Sequence, residues 1–186
     1  MDNTYHLFSA GGADWLILAL EFGPRNGTVS WANSVINLYP NRRVILITHA
    51  YLYNDDTRYN WAAKNTAQSW NPHNYPVASD PAGVNDGEEL WQKLVKIHPN
   101  FVLTVNGHVL GDGLGRLAST GDLGNVVHQT LVNYQMKPLG GEAYLRLLEF
   151  QPDGTNVQAK TYSPLYGTYK TDAQNQFVLT LQPPLR

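Results

Sequence analysis

The sequence contains no cysteine among its 186 residues. This absence excludes disulfide bonds, thiolate zinc sites and cysteine nucleophiles together. A Gly-x-Ser-x-Gly motif, which marks the nucleophile of many serine hydrolases, is also missing. Any catalysis by this chain must therefore depend on histidine, carboxylate or amide side chains, or on a serine that no sequence motif marks.

Long apolar runs and an excess of positive charge are missing as well. The longest apolar run, Trp15 to Leu20, is far too short to span a bilayer. Residues 1–20 lack the charged start and the apolar centre of a signal peptide. The formal net charge of −2 gives no basic surface for nucleic acid. We expect a soluble protein that binds neither nucleic acid nor membrane, and its cellular location stays unknown.

Two short runs of aliphatic residues each end on a histidine. The first is Arg43-Val-Ile-Leu-Ile-Thr-His49, and the second is Phe101-Val-Leu-Thr-Val-Asn-Gly-His108. Continuous apolar runs of this length are typical of strands that are covered on both faces. Because ligands bind outside the carboxyl ends of such strands in open α/β sheets, we expect His49 and His108 to converge on one ion.

The segments around these strands predict an α/β fold that becomes β-rich after His108. Residues 5–10 and 14–22 predict a hairpin around Gly11-Gly12, and residues 28–39 predict a helix. We see no repeat or linker, and we predict a single domain over residues 1–186. The predicted strands of the β-rich part are 116–120, 125–135, 142–151, 157–162 and 177–181.

A second helix is predicted to begin at Asp86. Glu89 follows three positions later, which is the pattern of a capping box. The inner face of this helix would carry Leu90, Leu94 and Ile97.

Residues 51–84 have no regular period but are rich in aromatic side chains. Loops of this length are usually functional or disordered, and the tryptophans argue against disorder. We therefore predict that this loop shapes a substrate pocket, with Tyr51, Trp61, Trp70 and His73 as the substrate-binding residues.

With Thr48-His49 and Asn106-Gly107-His108, the chain resembles the C-terminal half of a calcineurin-like metallophosphoesterase. In that family a histidine follows one core strand, a Gly-His-x-His motif follows another a few dozen residues later, and both supply ligands to a two-metal centre. The resemblance implies a metallophosphoesterase-like α/β sandwich with a mixed sheet. It also implies a divalent metal (Zn, Mn or Fe) bound by His49 and His108.

The sequence departs from the family's pattern in two ways. The Asp-x-His, Gly-Asp-x-x-Asp and Gly-Asn-His-Asp motifs that come earlier in the family do not occur here. Leu110 stands where the second histidine of Gly-His-x-His belongs, and leucine cannot ligate a metal. The resemblance therefore implies a truncated domain with a reduced metal site, for which Asp112 or Asp55 would be the nearest carboxylate substitute.

Three functions stay open at this point. The first is a hydrolase of phosphoesters or carboxylic esters that acts on a small-molecule substrate, with His49, His108 and Asp112 as the catalytic residues. The second is a non-catalytic remnant that has lost the two-metal centre and serves as an oligomeric binding module. Strand edges uncovered by the missing N-terminal half would favour a homo-oligomer. Exposed Trp and Tyr side chains would also suit carbohydrate binding.

Overall fold

The structure, a computed structural model, describes residues 2–182 and belongs to the mixed α/β class. It contains a six-stranded mixed sheet and a four-stranded antiparallel sheet. The strands are β1 (Thr4–Ala10), β2 (Ala13–Ala19), β3 (Arg43–Ile47), β4 (Phe101–Asn106), β5 (Leu114–Thr120), β6 (Val126–Val132), β7 (Leu145–Phe150), β8 (Asn156–Ser163), β9 (Thr168–Lys170) and β10 (Phe177–Thr180).

One long helix and several short ones connect these strands. None of the helices in residues 2–182 has the length and apolar content needed to cross a bilayer. The α-helices are α1 (Asn26–Leu38), α2 (Trp61–Lys64), α3 (Gly87–Leu90) and α4 (Pro138–Gly141). The 3₁₀ turns are Asn65–Ala67, Pro72–Asn74 and Pro76–Ser79, and a π turn spans Trp91–Val95.

The six-stranded sheet has the order β1-β2-β3-β4-β6-β5. Its four middle strands run parallel, and the two edge strands are antiparallel to their neighbours. β3 and β4 therefore lie side by side at the centre, as the sequence predicts. The predicted hairpin around Gly11-Gly12 and the predicted helix between β2 and β3 are also confirmed.

The six-stranded sheet is covered on both faces. On one face Val44 and Leu46 of β3 pack into a core with α1 and α3. On the other face Ile45 packs into a second core together with Val157 and Leu179 of the four-stranded sheet. Burial of aliphatic side chains on both faces explains why β3 is a continuous apolar run.

The segment that begins at Asp86 follows the prediction only in its first half. The capping box is present: the Asp86 carboxylate accepts the Glu89 N–H, and the Glu89 carboxylate accepts the Asp86 N–H. The π turn that follows winds more widely than an α-helical turn. Leu94 is buried as predicted, but the prediction for Ile97 was wrong: its side chain is 41% exposed, because the wider turn rotates it away from the core.

Candidate functional site

The carboxyl ends of β3 and β4 bring His49 and His108 together. Ile47 of β3 is in register with Val105 of β4. The backbone pairing continues past both strands, because the Gly107 N–H donates to the His49 carbonyl over 3.2 Å. The two imidazole rings are 4.7 Å apart between centroids, and their planes are inclined by 60°.

His108 is held in a specific orientation. Its backbone has a φ of +75°, a left-handed conformation that few non-glycine residues adopt. Its Nε2 lies 2.9 Å from the Trp70 carbonyl oxygen. Because a carbonyl only accepts hydrogen bonds, Nε2 carries the proton and Nδ1 of the neutral ring keeps a free lone pair.

The surroundings of His108 keep it neutral at physiological pH. Burial lowers the pKa of His108, the bond to the Trp70 carbonyl opposes this, and the neighbouring His49 lowers the pKa further. A neutral imidazole is the form that ligates a metal. His49 is exposed and borders a cavity of about 480 Å³ that also touches Asn106 and Gly107.

Aromatic side chains enclose the histidine pair on one side. The Phe22 ring lies 5.7 Å from His49 and 5.2 Å from His108. Tyr75 stands 5.7 Å from the His108 ring, and its hydroxyl is 3.4 Å from Nε2. The two aromatic rings also contact each other, with 5.0 Å between their centroids, so they form one wall beside the histidine pair.

Asn106 fixes the backbone on which this site stands. Its side-chain oxygen accepts the Leu52 N–H, and its amide nitrogen donates to the Leu52 carbonyl. This pair of bonds is buried and spans two segments that are 54 residues apart in the chain. The chain that follows His49 is therefore tied directly to the end of β4.

The predicted substrate-binding residues lie in different environments. The Trp61 ring stacks on His73 at 5.7 Å with an interplanar angle of 19°. Trp70 is 38% exposed and contributes its carbonyl to His108. Tyr51 is completely buried, so its side chain belongs to the core and does not reach a substrate surface. Burial also raises the pKa of the Tyr51 hydroxyl.

The predicted carboxylate substitutes form local contacts. One oxygen of Asp112 accepts the Leu114 N–H at 3.1 Å and so fixes the turn before β5. Asp55 binds Thr57 and forms an ion pair with Lys64 at 2.8 Å. Within residues 2–182, no acidic residue forms a three-donor group with His49 and His108.

A second group of side chains could hold a metal ion. His73, Asp86 and Glu89 each offer a donor atom, and these atoms lie within 4.8 Å of one another. His73 Nε2 lies 2.8 Å from the Glu89 carboxylate. The Asp86 carboxylate also holds the surrounding loop in place, because it accepts the Trp61 N–H at 2.6 Å and the Asn71 side-chain amide at 3.2 Å.

The histidine pair fits a metal ion in part. Two imidazoles with one free lone pair at His108 are suitable ligands for zinc, which binds three or four protein ligands in its usual sites. The described residues supply two of these, so water, substrate or another polypeptide segment must complete the coordination. The contributions of Phe22, Tyr75 and the Trp70 carbonyl were not found from the sequence. Tyr75 and Trp70 come from the 51–84 loop, which has no regular pattern, and Phe22 lies just beyond β2, where the sequence predicts a longer strand.

Comparisons with known proteins assign neither a family nor an activity to the chain. No known family profile matches the sequence. The uncharacterized protein YvnB of Bacillus subtilis (strain 168) is 30% identical over 188 residues, which cover 95% of this chain but 13% of that protein. This chain therefore spans about an eighth of its relative's length.

Among solved structures, a candidate 5'-nucleotidase from Staphylococcus aureus, crystallised with alpha-ketoglutarate, aligns with a TM-score of 0.40 and 8% identity. The alignment covers 100% of this chain and 31% of that one. A likeness of this strength carries no argument about fold or activity.

Proposed function

We propose that this chain is a hydrolase of ester bonds in which His49 and His108 hold a divalent metal ion. The observation that carries the proposal is the approach of the two imidazoles to 4.7 Å at the carboxyl ends of two neighbouring parallel strands. Sites of this kind are where open α/β sheets bind their ligands. Phosphoesters are the first substrate class to test, and carboxylic esters are the second.

Each residue of the site has a distinct task in this proposal. A divalent cation bound here supplies Lewis-acid polarisation of the ester and activation of water. His108 presents Nδ1 because the Trp70 carbonyl holds Nε2. Phe22 and Tyr75 exclude water from one side of the site. Asp112 remains the predicted catalytic carboxylate near the histidine pair.

Zinc is the metal that this donor set favours among Zn, Mn and Fe. Imidazole nitrogen is a good ligand for zinc, whereas manganese prefers oxygen donors. The His73, Asp86 and Glu89 group offers one nitrogen and carboxylate oxygens, and it is an alternative location for the metal.

The proposal is tested by ester turnover before and after chelation. A chromogenic phosphate monoester and a chromogenic carboxylic ester serve as substrates. We expect chelation, His49→Ala and His108→Ala each to lower turnover by about 100-fold, since even residues outside the ligand shell cost 10–100-fold when they are lost. His6→Ala is the control because His6 is exposed and bonds only Thr4. Full turnover after chelation, or in either histidine variant, contradicts the proposal.

A second function, a non-catalytic binding module, is favoured by exposed apolar surface beside the same site. Ile47 at the end of β3 is 41% exposed and borders the cavity with Ala19 and Val105. β1 is an edge strand that also exposes Tyr5 and Leu7. Unpaired edges and apolar faces recruit other chains, so we propose a homo-oligomer as the state in solution.

A further inference from the structure

A small cleft at the outer end of the six-stranded sheet is lined by two arginines. It has a volume of about 140 Å³ and lies between β5 and β7. Arg116 of β5 and Arg146 of β7 both face it, together with Asp56 and Gln174. The cleft is made by residues that take no part in the histidine site.

Both guanidinium groups are positioned by the same aromatic ring. The Arg116 guanidinium lies 4.3 Å from the centroid of Phe177, and that of Arg146 lies 5.1 Å from it. A cation–π contact uses the flat face of a guanidinium and leaves its N–H edge free. Phe177 therefore orients two cationic groups: within residues 2–182, Arg116 keeps all of its side-chain donors, whereas Arg146 uses Nε and Nη2 for other bonds and keeps Nη1.

The two arginines lack the partners that usually neutralise such groups. Among residues 2–182, no carboxylate oxygen lies within 4.0 Å of either guanidinium. Arg146 donates to the Thr161 hydroxyl, the Tyr134 hydroxyl and the Gln174 carbonyl. Arg116 is exposed, and its side chain donates to no protein acceptor in the described part of the chain.

We propose that this cleft binds an oxyanion of the phosphate class, held by the guanidinium groups of Arg116 and Arg146. Arginine recognises phosphate and carboxylate through paired N–H donors; Arg116 can present such a pair, and Arg146 adds its charge and Nη1. Two guanidiniums and the single Asp56 carboxylate leave the cleft with a net positive charge, which matches an anionic group. The inference is independent of the proposed ester hydrolysis.

Asp56 adds a preference within this class. One oxygen of its carboxylate accepts the Arg116 backbone N–H at 2.8 Å, and the other accepts no hydrogen bond within residues 2–182. A free carboxylate oxygen accepts a hydrogen bond from a protonated oxyanion and repels a fully ionised one. Inorganic phosphate keeps at least one proton near neutral pH, because its third ionisation occurs only in strongly basic solution, whereas sulfate is fully ionised.

The test is a titration of the full chain with inorganic phosphate, followed by calorimetry and by ¹⁵N NMR of the arginine Nε–H groups. We expect saturable binding with shifts at Arg116 and Arg146. Arg116→Gln should weaken the affinity by about 10-fold or more, as for the loss of a charge-assisted bond. Lys137→Gln is the control, because it removes one positive charge at an exposed position outside the cleft.

Three results would overturn the assignment. The first is the absence of saturable phosphate binding together with unshifted Arg116 and Arg146 signals. The second is an equal affinity of wild type and Arg116→Gln. The third is equal binding of sulfate, which contradicts the role of Asp56. The titration is repeated with His49→Ala in the presence of a chelator, and unchanged binding there separates this cleft from the histidine site.

Discussion

At the scale of single residues, the two histidines of the site differ in how firmly their rings are held. His108 is half-buried and held by the Trp70 carbonyl, whereas His49 is exposed. The sequence identifies both because each follows a recognisable strand. It does not reveal the left-handed backbone of His108 or its bond to the Trp70 carbonyl, because Trp70 lies 38 residues earlier in the chain.

Acid should destabilise the protein through a different histidine, His98. Its Nε2 is 2.7 Å from the Asn33 side-chain oxygen, and burial lowers its pKa. The unfolded chain, in which histidine has a pKa of about 6.5, then binds more protons than the folded one. The contribution of His98 to the free energy of unfolding is therefore fully present above this pH. It is lost as the pH falls from about 6.5 through the lower pKa of the folded state.

Urea denaturation at pH 7.5 and 5.5 measures this effect. We expect wild type to be less stable at pH 5.5, and His98→Gln to lose less stability between the two values, because glutamine does not titrate. His108 acts in the same direction, so part of the pH dependence remains in the variant. His6→Gln is the control at an exposed position. An unchanged pH dependence in His98→Gln would show that burial of His98 has no such effect.

At the scale of elements, local sequence patterns predict most of the strands and fewer of the connections. β3, β4 and the capping box at Asp86 follow from local periodicity and spacing. The π turn at Trp91–Val95 and strand β9 do not, since the turn keeps a helical pattern in its sequence and β9 has only three residues, too few to show an alternation. The cleft at Arg116 and Arg146 has no local signal, because its two arginines lie on different strands.

The start of α3 is packed directly against the segment that follows His49. A Cβ atom on Gly87 would lie 1.9 Å from the Tyr51 carbonyl oxygen, closer than any real contact. We expect Gly87→Ala to lower the free energy of unfolding by about 1–3 kcal/mol, as for other overpacked sites.

Gly27 in α1 provides the matched control. A Cβ atom there meets nothing within 4 Å, and its φ is not in the left-handed region. Gly27→Ala should stabilise the protein by about 0.4–1 kcal/mol. Urea denaturation of both variants checks the pair, and a Gly87→Ala variant as stable as wild type would mean that the Tyr51 segment moves freely.

At the scale of the whole molecule, the six-stranded sheet is covered unevenly. The four-stranded sheet packs over Trp15, Ile45 and Leu103. Ile47, two residues further along β3 on the same face, is 41% exposed. Apolar surface is thus left open next to the histidine pair.

This open face predicts self-association. We expect light scattering at micromolar concentration to show a dimer or a larger assembly, and Ile47→Glu to shift it towards the monomer, because a buried carboxylate at the interface is costly. Leu38→Glu is the control, since Leu38 is 72% exposed at the end of α1. A monomeric wild type contradicts the prediction.

Whether His49 and His108 hold a divalent metal ion is measured by zinc titration with calorimetry. We expect one zinc ion per chain in wild type and in His73→Ala, with affinity lost in His49→Ala and in His108→Ala. The contradictory result is zinc binding that survives both of these changes, or that disappears only in His73→Ala, which would place the metal at the His73, Asp86 and Glu89 group.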